Sequence, residues 1–304
     1  MAYVNMTAAR GAWDQQTPAM RGALLMIAST VAFATMHAVV RMVSAELPAL
    51  QIAFLRNVFG FCFLLPMLVS ARFAQLRTKR FPMHALRGAI NAVAMLMFFS
   101  AIAMTPLAKV TALSFTAPIF AAALGVVLLG ETFRIHRFAA IFAGFGGMLI
   151  VLRPGFAVIE TGAILAVVSA ALWALAMIVI KLLSRTESSL TIVAWASIFL
   201  AVFSAGPAIW VWQWPTLPAW GGLVFIGIIG SIAQLAISQS FREADASAVL
   251  PFDFLKLIWT ALLGAWLFGE IPDRYTLIGA GVIFGASLFI AGRERNTARI
   301  QAKL

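Results

Sequence analysis

Charge is the first thing this 304-residue chain lacks: 11% of its residues are Asp, Glu, Lys or Arg, against roughly 25% in ordinary soluble domains. With 62% hydrophobic residues, a soluble fold of this length could not hide its apolar surface, which excludes soluble enzymes and binding modules. Cysteine is limited to Cys62, so no disulfide can form within the chain. No His, Cys and carboxylate cluster has metal-site spacing, and neither metal nor cofactor is expected. Acidic residues number 11 against 22 Lys and Arg, a formal charge of +11. The basic residues are scattered through short loops, so no nucleic-acid partner is expected. Residues 1–20 hold no apolar run suited to a signal peptide's core and read as a short polar tail. No segment offers a soluble domain.

What is abundant is long apolar runs. A bilayer span takes about 20 mostly apolar residues, and the sequence predicts ten, at 21–43, 49–69, 84–104, 108–129, 136–152, 162–182, 190–210, 219–240, 246–268 and 275–292. The expected class is an all-α integral membrane protein. With the N-terminus inside, only Arg41, Lys109, Arg153 and Arg274 of the 22 Lys and Arg fall on the outer side. Arg56 and Lys256 fall within spans, which leaves sixteen on the inner side. Both termini are therefore expected on the cytoplasmic side. Trp210, Trp212, Trp214 and Trp220 cluster around one outer loop, as an interfacial anchor would.

The two halves resemble each other at an offset of about 140 residues. Gly22, Ser29, Phe33 and Arg41 align with Gly162, Ser169, Trp173 and Lys181; Gly88 aligns with Gly227; and LLGE (128–131) aligns with LFGE (267–270). Five spans is an odd number, so the second copy enters the membrane inverted. The expected organisation is a tail at 1–20, repeats at 21–155 and 156–292, and a cytoplasmic tail at 293–304. Inverted repeats build many secondary transporters, whose substrate sites lie near midplane at the repeat interface.

The ninth span holds the most unusual stretch, PFDFLK (251–256). Asp253 and Lys256, three residues apart, share one helix face with Leu257, Thr260 and Gly264. An ionisable residue in hydrocarbon costs roughly 2.5–3.5 kcal/mol on insertion scales and usually faces a bundle interior or wet cavity. The pair is read as charges lining a transport pathway; an internally neutralised structural pair is the alternative. At the repeat offset Asp253 falls opposite Ser114, so one pocket wall is charged and its partner merely polar.

The span count, the paired Gly130-Glu131 and Gly269-Glu270, FLRN (54–57) with its Arg56, and the TPLAKVTALSFTAP and ADASAVLPF stretches resemble the drug/metabolite transporter superfamily, in its ten-span type of two EamA repeats. The resemblance covers about 20–292. It implies a bacterial inner-membrane carrier of small metabolites working by alternating access, often with proton exchange. Members move amino acids, nucleosides, sugars, vitamins and drugs. One chain holds both repeats, so a monomer suffices, and a homodimer is compatible.

Other polar and aromatic residues complete the candidate site. His37 can titrate near neutrality and, with Asp253, is a proton-coupling candidate; a hydrogen-bonded core role stands beside that. Asn91 and Gln234 can face substrate or bond across helices, and Phe33 and its counterpart Trp173 can stack on a planar substrate or simply pack. Arg56 within the second span needs a partner and reads as a structural contact. Glu131 and Glu270 end their spans at opposite faces, as loop anchors or gates. Pro118 and Pro251 are expected to interrupt helices, freeing carbonyls for a cavity. The substrate expected is small and polar or amphipathic: amino acid, nucleoside-derived or vitamin-like. An integral membrane enzyme of lipid modification would want an acid, base or nucleophile cluster near one interface, and His84 and His136 read as isolated in basic loops. A channel is the third reading.

Overall fold

The computed structural model describes residues 16–70, 76, 78–129, 135–153, 160–183, 186–187, 189–244, 249 and 252–301. Among them the chain is all helix. α1 (Pro18–Val43) starts where Thr17 accepts a hydrogen bond from the Met20 N–H at 3.3 Å, with proline in its first turn, where the missing donor costs nothing. α2 (Ala49–Ser70) follows, then α3 (Phe81–Met104), which stops at Thr105 before Pro106 because a residue preceding proline disfavours the helical region. α4 (Leu107–Ser114), α5 (Ala117–Leu129) and α6 (Ile135–Leu152) complete the first half. α7 (Thr161–Leu183), α8 (Ser189–Trp210), α9 (Leu217–Glu243), α10 (Leu255–Phe268) and α11 (Arg274–Gln301) make the second. α10 ends at Gly269, whose φ of 67° suits a residue without Cβ.

Six segments are long and apolar enough by themselves to cross a bilayer, among them the composite Leu107–Gly125; four further apolar helices are shorter. The fourth and ninth spans are interrupted, the fourth at Phe115–Thr116 between α4 and α5 and the ninth at Phe254, just before α10. And α11 runs on to Gln301, through residues expected to form a polar tail. Apolar patterning marks where a helix is in lipid, not where it ends.

Exchanging spans 1–5 for 6–10 leaves the packing nearly unchanged. The most extensive contact, α1 with α9, has its counterpart in α7 with α3. Likewise α2 on α9 mirrors α8 on α3, while α2 with α8 and α6 with α11 are each paired with their own counterpart. The same relation holds atom by atom. Ser29 Oγ donates to the Ala233 carbonyl at 2.9 Å and Ser169 Oγ to the Ala94 carbonyl at 2.7 Å, with donors 140 and acceptors 139 residues apart. A Cβ on Gly88 would collide with Phe199, and one on Gly227 with Phe59, again counterparts. The two repeats thus interlock, and contacts inside either one are sparse by comparison.

The end of the bundle that carries the C-terminus of α1 is laced by polar side chains. Arg41 reaches the Ile102 carbonyl at 2.6 Å and Glu270 at 2.9 Å, and the other Glu270 oxygen accepts from the Leu107 N–H at 2.9 Å. Lys109 pairs with Glu160 at 3.0 Å, Arg153 pairs with Asp273, and Glu46 accepts from the backbone and hydroxyl of Thr216. Of the tryptophans at this end, Trp210 and Trp214 are exposed, as an interfacial anchor requires. Trp220 instead packs edge-on against Phe59 at 6.1 Å.

Candidate functional site

The two helix breaks fall at the same place in each repeat. Phe115 and Phe254 are 139 residues apart, and their rings stack on each other with centroids 4.2 Å apart and planes 27° apart. Each break is closed locally. Thr116 Oγ1 donates to the Leu113 carbonyl at 2.7 Å in one, and the Leu257 N–H donates to the Phe254 carbonyl at 3.0 Å in the other. Beyond the breaks, α5 and α10 begin mid-span and present their N-terminal, partially positive ends there, the arrangement discontinuous helices use in carriers.

Asp253 and Lys256 flank the second break, so a turn at Phe254 joins them and not one uninterrupted helix, as the spacing alone suggests. Their oxygen and nitrogen are 3.5 Å apart and both side chains are largely buried. The Lys256 ammonium also lies 5.0 Å from the Phe115 ring centroid and 5.9 Å from that of Phe33, both within cation–π range. Phe254 carries the aromatic surface on to Phe284 at 4.1 Å.

From Phe33 the aromatic surface continues through His37 at 6.2 Å, Phe98 at a further 5.1 Å and Trp173 at 6.1 Å. His37 is 6% exposed and its Nδ1 has no hydrogen-bond partner among the described residues. On α2, Arg56 donates to its neighbour Asn57 at 2.8 Å, while its Nε has no partner. The guanidinium lies against Gly230 of α9, where a Cβ would come within 3.0 Å of it and 2.7 Å of the Met36 sulfur. The partner expected for Arg56 is therefore an amide oxygen, and glycine on the facing helix makes the room.

The remaining candidates divide. The Ser114 hydroxyl donates to the Thr111 carbonyl at 2.7 Å, and that of Thr260 to the Lys256 and Leu257 carbonyls at 2.9 and 3.1 Å. Both hydroxyls are thus satisfied by their own helices. Asn91 is half-buried on α3, Gln234 is exposed on α9, and Trp173 is exposed on α7 beside Phe98. Glu270 belongs to the polar lacing at one end, away from the stacked rings. Glu131, Pro251 and the Pro118 side chain lie outside the described residues. His84 is a correction: it is buried on α3, not stranded in a loop.

Phe115, Phe254, Phe98 and Trp259 join the site without any charged group to mark them in the sequence. The Trp259 indole donates to Thr30 Oγ1 at 3.2 Å, tying α10 to α1. The signal for the stacked pair was present, since each adjoins the aligned Ser114 and Asp253. Chemically, the site offers aromatic faces and one carboxylate paired with Lys256, with the Arg56 guanidinium on the neighbouring α2. Among the described residues no group of three or more His, Cys, Asp and Glu could hold a metal ion.

Comparison with known proteins bears on this arrangement. The EamA-like transporter family matches the chain twice, over residues 20–153 and 160–292. A riboflavin transporter of Rhizobium johnstonii is 32% identical over 284 residues, covering 92% of this chain and 94% of its own. An S-adenosylmethionine uptake transporter of Rickettsia bellii is 30% identical over 250 residues, covering 82% of this chain and 86% of its own. A crystal structure only 18% identical in sequence superposes with a TM-score of 0.61, covering 91% of this chain and 98% of its own, a likeness of fold.

Proposed function

This chain belongs to the EamA-like transporter family and is a multi-pass membrane transporter of small metabolites, not an enzyme; from that premise we propose that it is a secondary carrier for a planar, acceptor-rich heteroaromatic metabolite of the riboflavin kind. The observation that carries this reading is the Lys256 ammonium held over Phe115 and beside Phe33 at the junction of both broken helices. A flat ring can enter such an aromatic wall, and its carbonyl oxygens can accept hydrogen bonds from the ammonium, which donates to Asp253 at 3.5 Å. A substrate with its own positive charge would add to Arg56 and Lys256, with Asp253 alone opposing. That disfavours a sulfonium cation such as S-adenosylmethionine. In this reading the repeats rock about the stacked phenylalanines in alternating access. Asp253 and His37 are the proton-exchanging candidates, and the carrier sits in a bacterial inner membrane with both termini cytoplasmic.

Thermal shift of the purified protein with riboflavin, and separately with S-adenosylmethionine, tests it. Riboflavin at a hundredfold excess over its Kd should stabilise the wild type by about 2.7 kcal/mol. Neither Asp253→Asn nor Lys256→Met should respond. Equal responses from all three proteins would reduce the pair to a structural contact. Stabilisation by S-adenosylmethionine alone would overturn the charge reasoning.

A further inference from the structure

Away from the stacked rings, the contact between α3 and α8 holds a second concentration of buried polar groups. His84 is 1% exposed with neither ring nitrogen partnered, and Arg87 is 6% exposed with its Nε unpartnered. The indole nitrogen of Trp195, 6.2 Å from His84 by ring centroids, is buried and unpartnered too. Arg87 makes one described hydrogen bond, to the Ile192 carbonyl at 2.7 Å. Among the described residues no carboxylate pairs with it; Glu187, at the same end of the bundle, accepts from Thr78 at 2.6 Å.

Packing does not demand these groups. At the repeat offsets used above, His84 and Arg87 correspond to Leu223 and Ile226, each 0% exposed, and Trp195 to buried Leu55. At these three positions the counterpart contact of α2 with α9 uses buried apolar side chains. The Arg87 Nε and the Trp195 indole nitrogen can only donate, and one His84 nitrogen can donate beside them, so the partner they lack is an acceptor; the Arg87 charge, with no carboxylate paired to it among the described residues, favours an anion. The site lies under the N-terminal turns of α3 and α8, whose dipoles favour negative charge. It sits about 5–9 Å below the helix start, by the rise per residue. Lys79 is exposed at the approach.

What lies outward of it is apolar. The half-exposed Phe81 ring covers Trp195 at 5.2 Å, and Trp195, Phe199 and Phe203 stack in succession at 5.4 and 5.7 Å along α8. Phe203 and Leu86 remain exposed there. An anionic head with a hydrocarbon tail matches both parts. Basic pockets between transmembrane helices on the cytoplasmic side take such head groups, and that is the leaflet expected from loop charge. We propose that His84, Arg87 and Trp195 bind the phosphate of an anionic phospholipid, which enters as Phe81 swings aside and lays an acyl chain along the α8 aromatic ladder.

Delipidated protein, melted with added phosphatidylglycerol, phosphatidylcholine or inorganic phosphate, distinguishes the sources. Phosphatidylglycerol should raise the wild-type Tm by several degrees over phosphatidylcholine, and inorganic phosphate should not reproduce the shift. The double variant His84→Leu/Arg87→Ile carries the second repeat's own residues, so it should fold, melt no lower than wild type without lipid, and bind phosphatidylglycerol at least tenfold more weakly. Trp195→Phe, which keeps a ring and removes the N–H, should retain less lipid in native mass spectrometry, and serves should the double variant not be recovered. Equal shifts in wild type and double variant, or unchanged retention in Trp195→Phe, would overturn the proposal. A shift from inorganic phosphate as large as from lipid would replace it with a free-anion site.

Discussion

Asp273 shows how one residue's surroundings translate into a pH dependence. Partial burial alone would raise its carboxyl pKa. The Thr276 N–H, donating at 2.7 Å, and the charges of Arg153 and Lys109 outweigh that and hold it below the usual carboxylate range. A depressed folded-state pKa contributes stability that is fully present above the ordinary value of about 3.9 and is lost as pH falls from there through the folded value. Wild-type melting should therefore be insensitive to this group at neutral pH and fall below about pH 4. Asp273→Asn should melt lower at pH 7 and lose less on acidification; parallel curves would show the carboxylate contributes nothing. At this scale, legibility depended on sequence distance. Asp253 and Lys256 could be paired from their spacing, whereas the stack of Phe115 on Phe254 joins residues whose proximity only the meeting of two repeats creates. His84 was misread because a lone polar residue at a helix start looks the same whether it faces solvent or a neighbouring helix.

At the scale of elements, Pro118 and Pro251 point to interruptions in the fourth and ninth spans but not to their exact place, since the turns at Phe115–Thr116 and Phe254 lie a few residues away and satisfy their own backbone, as Thr116 does. Span number and order needed only hydropathy and were readable throughout. The end of the ninth span shows what fixes a short helix at its far terminus. Glu270 joins Arg41 of α1 and the first N–H of α4, so three elements meet on one carboxylate. Glu270→Gln removes the charge behind both bonds and should lower stability by about 1.5–3 kcal/mol, the range for hydrogen bonds to charged groups. Chemical denaturation followed by tryptophan fluorescence would measure this; a loss below 0.5 kcal/mol, about the value of an exposed ion pair, would show the contact is not maintained.

For the whole molecule, the two-fold relation makes its own quantitative demand. Ser29 and Ser169 make counterpart bonds in counterpart helix pairs, so Ser29→Ala and Ser169→Ala should destabilise by similar amounts, about 0.6 kcal/mol each, the average for polar contacts between membrane helices. A cost at one site and none at the other would show that the repeats have diverged in energetics while keeping their geometry. The inverted arrangement was foreseeable from aligned glycines and serines, since these small residues sit where helices touch most closely. The charged pair at the second break was foreseeable as an exception to it. What could not be foreseen is how far each half depends on the other.

That dependence has a consequence during synthesis. The acceptor for Ser29 lies 204 residues downstream, and ribosomes add about 5–20 residues per second. For about 10–40 s, then, the nascent first helix waits in the bilayer for α9, its Ser29 without that acceptor. Chaperones and proteases that police the newly inserted chain have that interval in which to act, and a stalled or truncated product never leaves it.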